Sequence, residues 1–394
     1  MPAIVILALL VAGVWGLAHV FVRRLVAWRP RRRIARVIRR GPGDITFVRS
    51  DFTAAPGEFE IALPGGSARV GDPVDDDTSA DSTGGAATVT RPILTTSGAV
   101  TAGAVTWSPD PAPIAGAKDV VIPSAAPIPA WEFAPAAQRS RSAGRAPQKP
   151  VSPGLTSDSD CVVLEGEAWA IHVHGVRSSR RNALWGVPPA ANAGFRSLVI
   201  AYRGAPDGPP AGRQAGMGYV EADDVEAAVE YAVSRGARRI VLVGWSMGAS
   251  ACLLAAERPA VRDHISGLVL VAPALSWRHI MRAGAARMHL AAWITRAVEA
   301  LVQSHAARLA GMPAPVDLDA LDWVTPAGRL GHPALVIGSR GDTNAPFALV
   351  ERFAAANPDL VTVHEVAACR HGWEPNTDPE GFRAAVEGWM RRVA

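Results

Sequence analysis

Gly244-Trp-Ser-Met-Gly248 sets a serine between two glycines, each two positions away, which is the spacing of a nucleophile standing on a tight strand-to-helix turn. The glycines have a steric reason: a strained turn at the serine brings strand and helix so close that a side chain at either flank would collide. A serine hydroxyl is a weak nucleophile at neutral pH, so it needs a histidine base, a carboxylate to orient that base and N–H donors for the oxyanion. Ala334-Leu-Val-Ile-Gly-Ser-Arg-Gly-Asp342 delivers Asp342 at the end of a predicted strand, and His371-Gly-Trp373 follows another. Ser246, Asp342 and His371 therefore occur in the order nucleophile, acid, base. Ile171-His-Val-His-Gly175 is a further strand end, whose turn could aim the Val176 N–H at the oxyanion with the Met247 N–H as second donor. His174, Gly175 and Trp245 then fall beside the substrate.

Other residues compete for these roles. His364 lies inside a predicted strand and His332 just before one, so His371 is the expected base. Asp319, Asp322 and Asp359 are alternatives to Asp342. His172 and His174 face one side of a strand, but no further ligand stands at metal-site spacing, and neither a metal nor a cofactor is expected. Arg177, Arg180 and Arg181 either contact an anionic substrate or form a solvated loop. Trp277, Met281, Met288 and Trp293 either line an acyl pocket or bury a helix on the core.

The elements that must hold these residues are legible in the apolar pattern. Arg239–Val243 is a short continuous apolar run, as expected of a buried parallel strand, and Met247–Glu257 reads as a helix ending before Pro259. Further strands are predicted at Ala168–His174, Ser197–Tyr202, Ile265–Ala272, Ala334–Gly338 and Thr362–Val366. Val220–Ser234 carries an apolar stripe and is followed by Gly236, so it reads as a helix. Alternating strands and helices predict an α/β class with a doubly wound, mostly parallel sheet. A helical insertion, residues 274–330, falls where a lid would sit.

Residues 161–394 resemble the α/β-hydrolase superfamily, through His174-Gly175, Gly244-Trp-Ser-Met-Gly248, Gly341-Asp342 and His371. With Tyr202-Arg203-Gly204 and Asp224 added, the chain looks most like actinobacterial membrane-anchored serine hydrolases. The resemblance implies an eight-stranded sheet with helices on both faces and supplies no substrate. Ala249 departs from the pattern, since many relatives have a further glycine there.

The N-terminal part is of another kind. Ile4–Val22 is almost wholly apolar and long enough for a transmembrane helix (residues 1–22), and the arginine-rich juxtamembrane segment 23–40 follows directly. Arginine after the span places the catalytic part in the cytoplasm, and absence of a small-residue cleavage site argues against a signal peptide. Nine arginines lie between Arg23 and Arg40; without them the formal charge of +4 becomes −5. Basicity is thus local, and nothing else suggests nucleic-acid binding. Residues 41–160 read as a β-rich accessory region, with Ile45–Val48, Phe59–Leu63 and Thr88–Thr90 as short strands. Gly71–Gly85 and Gln138–Pro153 are predicted disordered, the five aspartates Asp72, Asp75, Asp76, Asp77 and Asp81 forming a solvated loop rather than a calcium site. Cys161, Cys252 and Cys369 form no disulfide or zinc pattern.

The expected function is a membrane-anchored serine hydrolase cleaving small-molecule or lipid-like carboxylic esters through an acyl-enzyme. The alternatives are a serine peptidase or amidase on the same three residues, and a non-catalytic membrane-tethered binding protein.

Overall fold

The computed structural model describes residues 13, 15–23, 33–63, 66–78, 86–97, 100, 102–111, 114–136, 168–209, 215–325 and 328–393. Two sheets organise them. The first takes β1 (Arg33–Arg40), β2 (Asp44–Val48), β3 (Phe59–Leu63), β4 (Gly66–Val70), β5 (Asp75–Asp77), β6 (Thr88–Ser97) and β7 (Gly103–Ser108). Its order is β2-β1-β7-β3-β4-β6-β5, and an additional β2–β6 pairing closes six of these strands into an antiparallel barrel. Alternation along the strands fills it: Ala35 and Val37 of β1, Ile45 and Phe47 of β2, and Val105 and Trp107 of β7 are all buried.

The second sheet has eight strands in the order β15-β14-β13-β12-β10-β11-β9-β8. They are β8 (Lys118–Ile122), β9 (Ile128–Phe133), β10 (Ala168–Val173), β11 (Arg196–Ile200), β12 (Arg239–Trp245), β13 (Ile265–Val271), β14 (Ala334–Ser339) and β15 (Val361–Val366). From β10 to β15 the neighbours are parallel, whereas β9 is antiparallel to β11 and β8 to β9. β12 sits centrally and is buried on both faces after Arg239, which is why its sequence is a continuous apolar run without alternation. Helices Ala222–Ser234 and Met247–Ala256 pack on one face; Val187–Asn192 and Pro379–Val393 pack on the other, in a core shared with the barrel. Between β13 and β14 stand helices Trp277–Arg287 and Ala292–Gln303, where a helical insertion was expected.

Three expectations about the N-terminal part change. The strand β1 occupies nearly half of the segment read as arginine-rich and juxtamembrane: Ala35 and Val37 are buried while Arg36, and past a bulge Arg39 and Arg40, face outward. Residues of β8 and β9, which fall within the 41–160 segment read as an accessory region and were not expected as strands, belong to the second sheet. No described helix is long and apolar enough to cross a membrane. Of the run expected to span, the described end (15–23) is a helix whose Ala18 and Val22 are buried in the core beside the second sheet, with Trp15, Leu17 and Val20 exposed. The remainder of Ile4–Val22 other than Gly13 lies outside the described residues, as do Gln138–Pro153 and Cys161. Within Gly71–Gly85, the aspartates are partly structural. Asp75–Asp77 pair with β6, Asp76 bridges to Arg49, and Asp72 accepts the Gly57 N–H at 2.6 Å.

Candidate active site

β12 ends at Trp245 and the next helix begins at Met247, leaving Ser246 alone to turn the chain at φ 52°, ψ −113°. A non-glycine residue at positive φ is strained, and such strain gathers at working sites. The flanking glycines answer the steric demand. A Cβ on Gly244 would stand 2.6 Å from the Cα of Ala249, and one on Gly248 would stand 2.3 Å from the carbonyl oxygen of Val173. Ala249 therefore fits because the neighbour across from it is glycine.

His371, in the loop after β15, lies with Nε2 2.8 Å from Ser246 Oγ and Nδ1 2.6 Å from Asp342 Oδ2. A carboxylate can only accept, so Nδ1 carries the proton and Nε2 is left to accept from the serine hydroxyl. Asp342 is buried in the turn after β14, and its other oxygen accepts the N–H groups of Asn344 and Ala345 at 2.7 and 2.9 Å. Those two bonds fix the carboxylate's orientation. The structure thus brings together Ser246, Asp342 and His371 in one hydrogen-bonded line.

Of the expected oxyanion donors, Met247 directly follows the serine and Val176 lines the same cavity. Val176 and Gly175 line the cavity in front of Ser246. Met247 opens its helix, so its N–H has no partner within the helix and points from a positive dipole end. Trp245 also lines the cavity, but His174 does not. That residue, expected beside the substrate, is buried instead: its ring stacks on Tyr202 at 4.0 Å, and Nδ1–H donates to the carbonyl of Gly175 at 2.9 Å. The Tyr202 hydroxyl donates to that carbonyl too, at 2.8 Å. His174 and Tyr202 therefore hold the Gly175 turn from beneath. Burial pushes the His174 imidazole down to about 4, and that of His172 to about 3, so both are neutral near pH 7. Among the described residues no cluster of His, Cys, Asp or Glu is arranged to hold a metal ion.

The competing residues are placed elsewhere. Asp319 pairs with Arg278, and Asp322 caps the N–H groups of Val324 and Thr325. His332 bonds to the Ala256 carbonyl. Arg180 pairs with Asp207 and lies over Trp131, and Arg181 pairs with Glu60, so of the three arginines only Arg177 lines the cavity. Trp277, Met281 and Met288 line it as well, whereas Trp293 is exposed on the outside.

The cavity holds about 730 Å³. Ser246 and His371 face it; Trp277, Ile280, Met281 and Met288 of the insertion give it an apolar wall, and Phe21 of the N-terminal helix joins them. Arg33, Thr106, Ser108 and Asp110, from the barrel and the residues after it, give it a polar one. Asp110 has its carboxyl raised by burial, against the opposing effects of Arg181, Ser108 and Asn182.

Three buried polar groups near Asp342 and His371 escaped sequence reasoning. Ser339 Oγ donates to the Ala367 carbonyl at 2.9 Å and accepts from the N–H groups of Cys369 and Gly341, tying the turn of Asp342 to the chain leading to His371. Glu374 is wholly buried three residues after His371, and burial pushes its carboxyl up to about 8, with the nearby His371 acting the other way. Asn376 is also buried, with its bonds reaching the barrel. A carboxylate and an amide so close after the candidate base were the available signal. Cys369, also buried, is pushed up to about 12 and is no thiolate.

Residues 173–315 match the family described as alpha/beta hydrolase fold, and residues 33–108 match a domain of unknown function, DUF8805. No curated protein sequence matches the chain. Similar solved structures include an esterase of Pyrococcus furiosus, at 17% identity and TM-score 0.48, covering 70% of this chain and 90% of that one. Est1E of Butyrivibrio proteoclasticus has 15% identity and TM-score 0.45, covering 70% and 98%. A thermophilic esterase of Thermogutta terrifontis has 19% identity and TM-score 0.44, covering 70% and 99%. The family match carries the assignment of an α/β-hydrolase fold and supports a hydrolase.

Proposed function

We propose that this α/β-hydrolase-fold chain is a serine esterase that cleaves carboxylic esters through an acyl-enzyme. The observation that carries the reading is the line from Ser246 Oγ through His371 to Asp342, at 2.8 and 2.6 Å, opening on a large cavity. His371 Nε2 takes the Ser246 proton as the oxygen attacks the ester carbonyl, and Asp342 stabilises the imidazolium that forms. The Val176 and Met247 N–H groups hold the oxyanion. His371 then protonates the leaving alcohol, activates water and returns the proton to Ser246 as the acid is released. The apolar wall of Trp277, Ile280, Met281 and Met288 favours an apolar acyl group.

A fluorophosphonate probe tests the chemistry: it should label the wild-type chain and fail to label Ser246→Ala. A matched panel of esters and amides separates esterase from amidase.

We further propose that the chain associates with a membrane through its N-terminal apolar run, with the catalytic part on the cytoplasmic side. What supports it is the apolar run Ile4–Val22, the exposed Trp15, Leu17 and Val20 on the docked helix, and the arginines that follow, which favour the cytoplasmic side. A reporter fused after Arg40 that reads an outside location overturns this address.

A further inference from the structure

The proposed chemistry leaves the barrel, residues 33–108, without a task. A cluster of its contacts falls on the loop that carries His371. The Glu58 N–H donates to the Asn376 carbonyl at 3.0 Å, and Asn376 Nδ2 donates back to the carbonyls of Glu58 and Pro109 at 2.6 and 3.0 Å. Approach is close enough that a Cβ on Gly57 would stand 1.9 Å from the Asn376 carbonyl oxygen. Trp373, two residues after the base, packs edge-on to Phe59 with ring centroids 4.8 Å apart. Arg370, one residue before it, pairs with Asp51 at 2.9 Å. The guanidinium of Arg33 lies 5.0 Å from the centre of the Trp373 ring.

The barrel side of this contact is itself anchored. Arg91 is buried in the barrel, and its guanidinium donates to the carbonyls of Gly71, Thr53 and Ala55 at 2.6, 2.8 and 2.8 Å, and to that of Gly57. One side chain thereby fixes residues 53–57, whose end at Gly57 touches the His371 loop. Trp107 packs 5.0 Å from Phe59, and it lines the same cavity as Ser246.

We infer that the barrel is a built-in positioning domain of the active site, which clamps the loop carrying His371 and supplies the cavity wall opposite the insertion. This rests on the reading of His371 as general base. A loop held on one side by the barrel presents its imidazole on the other side at fixed distance from Ser246. Loss of alignment near 1 Å costs about 100-fold in rate. Asn376, Phe59 and Arg91 are positioning residues that act through the loop and touch no reacting atom.

The experiment uses full-length Asn376→Ala and, as a milder variant that keeps an apolar side chain under Trp373, Phe59→Leu. Amide hydrogen exchange of residues 370–377 is measured beside steady-state ester hydrolysis. The inference predicts faster exchange confined to that loop, with about 10- to 100-fold lower kcat and KM within about threefold of wild type. Unchanged loop exchange in both variants overturns it, and so does faster exchange with undiminished kcat. A wild-type chain that the fluorophosphonate probe does not label sinks the esterase reading instead, while hydrogen exchange still decides whether the barrel holds the loop.

Discussion

His371 Nε2 stands 2.8 Å from Ser246 Oγ although 125 residues separate them in sequence. The contact exists because β12 and β15 both end at the same edge of a parallel sheet, with two strands between them. In such sheets the carboxyl ends of the strands are where ligands gather.

Asp342→Asn should lower kcat by about 10³- to 10⁴-fold with little change in KM. An amide can donate to Nδ1, which would place the imidazole proton on Nε2 and face a donor toward the serine. Pre-steady-state kinetics with an activated ester measures this directly, and a loss below tenfold would assign the acid role elsewhere.

The turn geometry makes Gly248 irreplaceable. Its Cβ position lies 2.3 Å from the Val173 carbonyl and 2.6 Å from that of His174. Gly248→Ala must push β10 and the nucleophile helix apart, at a cost of about 1–3 kcal/mol. Thermal unfolding should show a lowered Tm, and fluorophosphonate labelling should slow even where the variant folds.

Much of this was legible in the sequence, and the reason differs by element. The strands β10 to β14 announce themselves as apolar runs because both faces are covered, and Ser246 and Asp342 each sit at the end of such a run, whereas His371 follows the edge strand β15, which is largely exposed. His174 was misread for the same reason: it too stands at a strand end, but its ring turns under the Gly175 turn and stacks on Tyr202. The barrel was illegible as a barrel, since its closure depends on β2 meeting β6 and on β1 meeting β7 across long stretches of chain. Arginine in β1 masked the alternation of Ala35 and Val37. For Asn376 only its closeness to the candidate base was legible, and its partner was not, because Glu58 is 318 residues away.

Buried Glu374 gives stability a pH dependence. Its carboxyl is raised from 4.5 to about 8, so the folded chain binds a proton that the unfolded chain releases at lower pH. The stabilisation is fully present below about pH 4.5 and is lost as pH rises through about 8. The slope is on the order of 1 kcal/mol per pH unit in between. Glu221, raised to about 7 by burial, contributes in the same sense. Chemical denaturation of wild type and Glu374→Gln across pH 5–8 should show a shallower decline in the variant, and parallel curves would refute the assignment.

Arg91 satisfies four buried carbonyls at once, and burial pushes its guanidinium down to about 10. Arg91→Met leaves those oxygens without donors, each worth about 1–3 kcal/mol when unsatisfied. Differential scanning calorimetry should find a lower unfolding temperature. Arg91→Lys should recover only part of it, because an ammonium cannot match the planar fork.

The central claim is that Ser246 is a nucleophile activated by His371. It is tested most directly by mass spectrometry of the chain after exposure to a fluorophosphonate, in wild type, Ser246→Ala and His371→Ala. The account predicts one phosphonyl adduct on Ser246 in the wild type, none in Ser246→Ala, and labelling slowed by at least about 10²-fold in His371→Ala. A wild-type chain that acquires no adduct on Ser246, or one labelled equally well without His371, would contradict it.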